Sequence, residues 1–267
     1  MSQLSIPQRV YYGIQRRWRD FTFRPHQILR EYAGEKIRLS IEDVFSAGFY
    51  GLHHNHWPEI DWIRQYGIKP GDTIVDCGAN HGYISCLFAR FTTPTGKVIA
   101  IEPIPRNARI LRTNLSLNEI TNCELHNCGA GAANSEMEII DTPNATLLPS
   151  HSGKGEKIKV PIKTLDSIVN GGKVDFLKID VEGYEREVLK GASAILAQRP
   201  RIDIELHVGF FDDKHTELAA IFDLLPLADY KIFLQMDVDG PIEPFTQDWR
   251  ELLPVVEKGD IVHLFLC

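Results

Sequence analysis

The 267-residue chain contains no uninterrupted apolar run of the roughly 18–20 residues that a membrane-spanning helix requires. Its cysteines are few and odd in number (Cys77, Cys86, Cys123, Cys128 and Cys267), and no two have Cys-x-x-Cys spacing. That pattern argues against a disulfide framework and against a cysteine zinc site. The first residues lack both a compact apolar core and a small-residue cleavage site, so the expected compartment is the cytoplasm. Positive charge is also scarce: the net charge is −7, yet residues 1–40 hold a balance of +5 and leave about −12 for the rest. So acidic a balance argues against a nucleic-acid-binding body.

What is present is ordinary for a globular α/β protein, with 43% hydrophobic and 24% charged residues. Apolar runs of strand length alternate with helix-patterned stretches. Strands are expected at 73–77, 97–102, 124–128, 174–180, 201–207, 230–235 and 259–266. Two extra short strands, 136–141 and 157–163, flank a Gly/Ser/Pro-rich loop at 142–156. Helices are expected near 82–91, 105–117, 164–169, 215–225, and from the end of the fourth strand to Lys190, stopped by Gly191. Parallel strands joined by helices imply a Rossmann-like, doubly wound sheet of seven strands, the last antiparallel. Residues 61–267 would form this domain, and residues 1–60 a basic, aromatic helical extension. That extension would either pack on the domain with solvated arginines or touch an anionic membrane.

The densest signal is Thr73-Ile-Val-Asp-Cys-Gly-Ala-Asn-His-Gly82, a strand, a glycine turn and a helix start. Such a turn lets a nucleotide-like ligand approach the backbone and the free N–H groups of the helix. The spacing is not the dinucleotide G-x-G-x-x-G, which counts against a dehydrogenase. In a doubly wound sheet ligands bind at the carboxyl ends of the strands. There the sequence places Asp76 and Gly78, then Glu102 and Pro103, then Asn127 and Gly129, then Asp180 and Glu182, then Glu205 and His207. Glu102 suits the two hydroxyls of a ribose, and Asp76 an ammonium group. Asn127 and Gly129 would lie against a base or merely shape a loop, with Tyr83 as a lid or an ordinary helix residue. His53, His54 and His56 look like a metal cluster, but adjacent histidines point apart, and no metal ligands are expected there.

Asp76-x-Gly78-x-Asn80-x-Gly82 resembles the first motif of class I S-adenosylmethionine-dependent methyltransferases. With Glu102-Pro103, Thr164-Leu-Asp166, Leu177-Lys-Ile-Asp-Val-Glu-Gly-Tyr-Glu185 and Ile204-Glu-Leu-His207, the chain over about residues 65–210 resembles the FkbM-type methyltransferases. Two departures are Cys77, where valine or isoleucine is usual, and the polar stretch Asn127-Cys-Gly-Ala-Gly131.

The resemblance implies O-methylation of a sugar hydroxyl in a glycan, glycolipid or natural product. The cofactor would be S-adenosyl-L-methionine, held by Asp76, Gly78, Asn80, Gly82, Tyr83, Glu102, Pro103, Asn127, Gly129 and Asp180. A poor alcohol nucleophile needs a base, and His207 or else Asp180, with Glu182 beside them, is expected to serve. A divalent cation held by Asp180, Glu182 and His207 is the less favoured alternative. A non-catalytic scaffold with the same fold, or a methyltransferase acting on protein or nucleic acid, are the competing functions. The acceptor would be chosen by the N-terminal 60 residues, the 142–156 loop and the segment Gly209–Lys214.

Overall fold

In a computed structural model, the structure describes residues 22–52, 57–93, 95–142, 147, 156–237 and 240–267. Residues 1–21, and with them Arg9, Arg16, Arg17 and Trp18 of the basic segment, lie outside the described residues, as do His53, His54 and His56.

The described chain starts with a hairpin, β1 (His26–Tyr32) and β2 (Glu35–Ile41), followed by α1 (Val44–Leu52) and α2 (Pro58–Trp62). A π-turn, Ile63–Gly67, leads into the central sheet. There β3 (Thr73–Cys77), α3 (Tyr83–Phe91), β4 (Lys97–Ile101), α4 (Pro105–Leu117) and β5 (Cys123–His126) follow in turn. A side sheet is made by β6 (Gly129–Ala130), β7 (Ser135–Ile140) and β8 (Lys157–Lys163), ending in α5 (Leu165–Val169). The second half runs through β9 (Phe176–Ile179), α6 (Glu185–Lys190), α7 (Ser193–Leu196), β10 (Arg201–Leu206) and α8 (Lys214–Phe222). It closes with β11 (Ile232–Gln235), β12 (Glu243–Phe245), α9 (Leu253–Val256) and β13 (Val262–Leu266).

The main sheet has the order β12-β11-β13-β10-β9-β3-β4-β5. Strands β10, β9, β3, β4 and β5 are parallel, and β13 is inserted antiparallel between β10 and β11. Every residue of β9 and β13 is buried, as are Ile74–Cys77 of β3 and Val98–Ile101 of β4. Burial of both faces explains why these strands read as continuous apolar runs. The chain winds outward through β3, β4 and β5, then returns to the other side of β3 through β9 and β10. The crevice at that reversal, outside the carboxyl ends of β3 and β9, is where such a fold holds its ligand.

Three expectations change. The main sheet has eight strands, because the three-residue β12 adds an edge too short to show a pattern. Strand β5 ends at His126, so Asn127 and Cys128 belong to the loop. Residues 26–41, expected as part of a helical extension, form a hairpin. The reason is visible in β2, where Ile37, Leu39 and Ile41 face the core at every second position.

The hairpin is fastened to α4 by two asparagines. Asn118 accepts from the Arg38 amide (2.8 Å) and donates to the Arg38 carbonyl (2.7 Å), acting as a neighbouring strand would. One turn earlier, Asn114 accepts from the Ser40 amide at 2.7 Å and donates to the His81 carbonyl at 2.7 Å. The free edge of β2 is thereby tied to both the helix and the ligand-facing turn.

Candidate active site

The turn after β3 is shaped by how closely β9 passes it. Gly78 has φ +92°, and a Cβ built there would stand 1.7 Å from the Asp180 carbonyl oxygen. Only glycine fits that approach. Asn80 also takes a left-handed conformation (φ 48°), which aims its amide at Glu102: the Asn80 N–H donates to Oε2 at 2.8 Å. The Ile104 N–H donates to Oε1 at 2.8 Å, and the Asn107 amide reaches the same oxygen at 3.3 Å. Burial pushes the Glu102 carboxyl up to about 7 despite these donors.

Glu102 sits in a cavity lined by Gly78, Asn80, Pro103, Gly129, Leu147 and Asp180. A carboxylate offers about four lone-pair sites, and three are taken. Ile101, Ile104 and Ala130 add an apolar lining to the same cavity. These residues fit the adenosine half of S-adenosylmethionine.

A larger cavity, about 390 Å³, shares Gly78, Asn80, Asp180 and Glu182 with the first. Asp76 opens onto it, buried and held by the Ser85 hydroxyl, with burial pushing its carboxyl up to about 6. Tyr83, Tyr50 and Trp57 form one wall; the Tyr83 ring is stacked on Trp57 at 5.5 Å and lies edge-on to Tyr32 at 5.1 Å. Tyr83 is thus packed into the aromatic wall, with an exposure of 2%.

The same cavity is lined by Glu205, His207 and His263. His207 Nδ1 is 2.8 Å from Glu185 Oε1, and Nε2 is 3.4 Å from Glu182 and 3.8 Å from Glu205. Burial alone would disfavour its charge, but the Glu185 hydrogen bond and the surrounding carboxylates push its pKa up to about 10. Glu205 is raised, by burial first and the Asp180 charge second. Beneath them runs a buried chain of charges. Glu205 lies 3.4 Å from His263 Nε2, His263 Nδ1 lies 3.4 Å from Asp203, and Lys178 is 3.4 Å from Asp203 and 2.8 Å from Glu59.

The strand-end residues Asp76, Gly78, Asn80, Glu102, Pro103, Gly129, Asp180, Glu182 and His207 therefore converge on two joined cavities. Asn127 and Gly82 do not line them. Asn127 donates to the carbonyls of Glu102 (2.8 Å) and Pro103 (3.1 Å) and so holds the Glu102 loop in place. Gly82 starts α3 against Leu111, where a Cβ would meet that side chain at 2.3 Å. Sequence reading passed over Glu59, Tyr50, Trp57 and His263 as site residues. Trp57 and Glu59 stand at the start of a five-residue helix, and nothing local marks Trp57 as a partner of Tyr83 or Glu59 as a partner of Lys178, 119 residues away.

The chain is similar to known proteins. A protein from Beauveria bassiana named Methyltransferase 1 is 27% identical over 186 residues, 60% of this chain and 70% of that protein. The hexuronic acid methyltransferase AglP of Haloferax volcanii is 30% identical over 146 residues, 52% of this chain and 57% of its own length. The crystal structure of the FkbM methyltransferase from Methylobacillus flagellatus KT aligns with a TM-score of 0.49 and 22% identity, covering 74% of this chain. The aligned part is 44% of the Methylobacillus chain. The family model of the methyltransferase FkbM domain matches residues 76–232, from Asp76 near the end of β3 to the start of β11. That stretch is more than half of the sequence and holds every strand end of the candidate site except Ile261 and His263, and the chain belongs to the FkbM methyltransferase family.

Proposed function

We propose that the protein is an S-adenosylmethionine-dependent O-methyltransferase acting on a hydroxyl of a sugar-containing acceptor. The observation that carries this reading is the junction of the two cavities at Gly78, Asn80, Asp180 and Glu182. One half suits a nucleoside, with Glu102 facing the ribose and Pro103 and Gly129 beside the base. The other half is a chamber of carboxylates and aromatic rings. S-Adenosylmethionine, when bound, supplies a methyl group activated by its sulfonium.

The residues of this chain then have three tasks. Asp76 and the aromatic wall of Tyr50, Trp57 and Tyr83 hold cationic parts of the ligand and keep water out. Gly78 and Asn80 fix the alignment between the two halves, which an in-line displacement depends on. Asp180 or Glu182, present in both cavities, takes the hydroxyl proton. His207, hydrogen-bonded to Glu185 at 2.8 Å and 3.4 Å from Glu182, orients these carboxylates instead.

A sugar acceptor is supported by the mouth of the chamber. Phe210 lines both the chamber and an outer groove with Tyr184, Phe211, Arg186, Asp212 and Glu217. Aromatic faces beside carboxylates match the apolar faces and hydroxyls of a pyranose. The name of the Haloferax relative, a hexuronic acid methyltransferase, points the same way. The test is transfer of labelled methyl from S-adenosylmethionine to a panel of glycosides that includes uronic acids. An O-methylated product whose formation falls about 10²–10⁴-fold in Asp180→Asn or Glu182→Gln supports the reading. Transfer to protein or RNA but to no glycoside would refute the acceptor class.

A further inference from the structure

We propose that Asp180, Glu205 and His207 form a divalent-cation site on the wall of the larger cavity, with Glu185 orienting the imidazole. Each offers one ligand atom, and these atoms lie within 4.8 Å of one another. All three residues line the larger cavity, so a cation among them keeps open positions toward a ligand. Two carboxylate oxygens and one imidazole nitrogen suit a first-row or alkaline-earth divalent ion.

The cluster differs from a simple patch of acids in how its histidine is held. His207 is 2% exposed, and its Nδ1 is engaged by Glu185, which is fully buried. Metal-binding imidazoles are typically fixed in this way by a carboxylate on the far nitrogen. The other nitrogen, Nε2, has only longer contacts, 3.4 Å to Glu182 and 3.8 Å to Glu205. Glu205 accepts no hydrogen bond among the described residues, and its closest nitrogen, His263 Nε2, is 3.4 Å away.

A second group, Glu59, Asp203 and His263, also gathers ligand atoms within the same reach. Its centre is taken by the Lys178 ammonium, 2.8 Å from Glu59 and 3.4 Å from Asp203. A lysine is therefore already built into that group, whereas among the described residues no lysine or arginine pairs with Asp180, Glu205 or His207. Placed beside the reaction chamber, the ion would act as a Lewis acid that makes a nearby hydroxyl easier to deprotonate. That role rests on the proposed methyltransferase reading; the binding itself does not.

The experiment is titration of the metal-free protein with Mn²⁺, followed by electron paramagnetic resonance, with and without S-adenosylhomocysteine. The expected result is one ion per chain at micromolar to sub-millimolar concentrations. Glu205→Gln and His207→Ala should each weaken binding at least about tenfold, and Glu185→Gln about 10–100-fold. Asp203→Asn, in the lysine-filled group, should leave it unchanged. Circular dichroism verifies that each variant is folded, and Glu205→Gln keeps the shape of the native side chain should His207→Ala unfold. Absence of binding by folded wild type, or binding indifferent to both Glu205→Gln and His207→Ala, would overturn the site. Retained S-adenosylhomocysteine binding in those samples would leave the cofactor reading standing, and its loss would remove both.

Discussion

Lys178 on β9 reaches the Glu59 carboxylate at 2.8 Å, joining residues 119 positions apart, and both side chains are at least 97% buried. The pair ties α2, which precedes the main sheet, to the strand whose end supplies Asp180. Asp203 lies on the other side of the ammonium at 3.4 Å, so one cation serves two carboxylates. Nearby charges, Asp203 foremost, hold the Lys178 pKa well above its ordinary value against the effect of burial.

Removing one partner of this network is expected to cost more than replacing it whole. Lys178→Met leaves Glu59 and Asp203 buried without a cation and should destabilise the fold by about 3–5 kcal/mol. Adding Glu59→Leu to that variant should recover part of the loss. Urea unfolding of the two variants measures the difference; equal stability of wild type and Lys178→Met would contradict the assignment.

Gly78→Ala should be far more damaging than Gly34→Ala. Both residues have positive φ, but the added Cβ meets the Asp180 carbonyl at 1.7 Å in the first and nothing within 4 Å in the second. Gly34→Ala carries only the backbone penalty, about 1 kcal/mol. Gly78→Ala must also push β3 and β9 apart at the ligand turn. Thermal melting should show a small shift for the hairpin variant and a large one, or failure to fold, for the other.

Glu102 gives the unliganded protein a pH-dependent stability. Burial raises its pKa from the ordinary 4.5 to about 7, so the folded state keeps the proton to higher pH than the unfolded state does. Its contribution is fully present below pH 4.5 and is lost as pH rises through 7, on the order of 3 kcal/mol in all. Glu102→Gln should flatten this part of the profile. Denaturant midpoints from pH 5 to 8.5 for both proteins test it, and parallel curves would contradict the burial argument.

Asn118→Ala should loosen the N-terminal hairpin without unfolding the sheet. The substitution removes both hydrogen bonds to Arg38 and leaves that backbone unpaired at the edge. The expected cost is about 1–3 kcal/mol. Hydrogen exchange should accelerate at the Arg38 amide while amides of β3 and β9 stay protected.

The central strands were legible because burial on both faces writes them as short apolar runs ending in polar residues. The joined cavities followed from reading only those ends. The hairpin was legible too, since Ile37, Leu39 and Ile41 alternate beyond Ala33-Gly34, but the arginines and aromatics drew the reading toward a helix. The aromatic wall and the Glu59–Lys178 pair were not, because their partners meet only after the sheet has assembled. Asn127 shows the limit in the other direction. It stands at a strand end, yet its side-chain donors are spent on the carbonyls of Glu102 and Pro103.

The most direct measurement is calorimetric titration of the protein with S-adenosylhomocysteine, alongside Glu102→Ala. If the Glu102 cavity holds the nucleoside, wild type should bind one equivalent at micromolar concentration, and the variant should bind about a hundredfold more weakly. Absence of binding by folded wild type, or equal affinity in the two proteins, would contradict the assignment of these cavities.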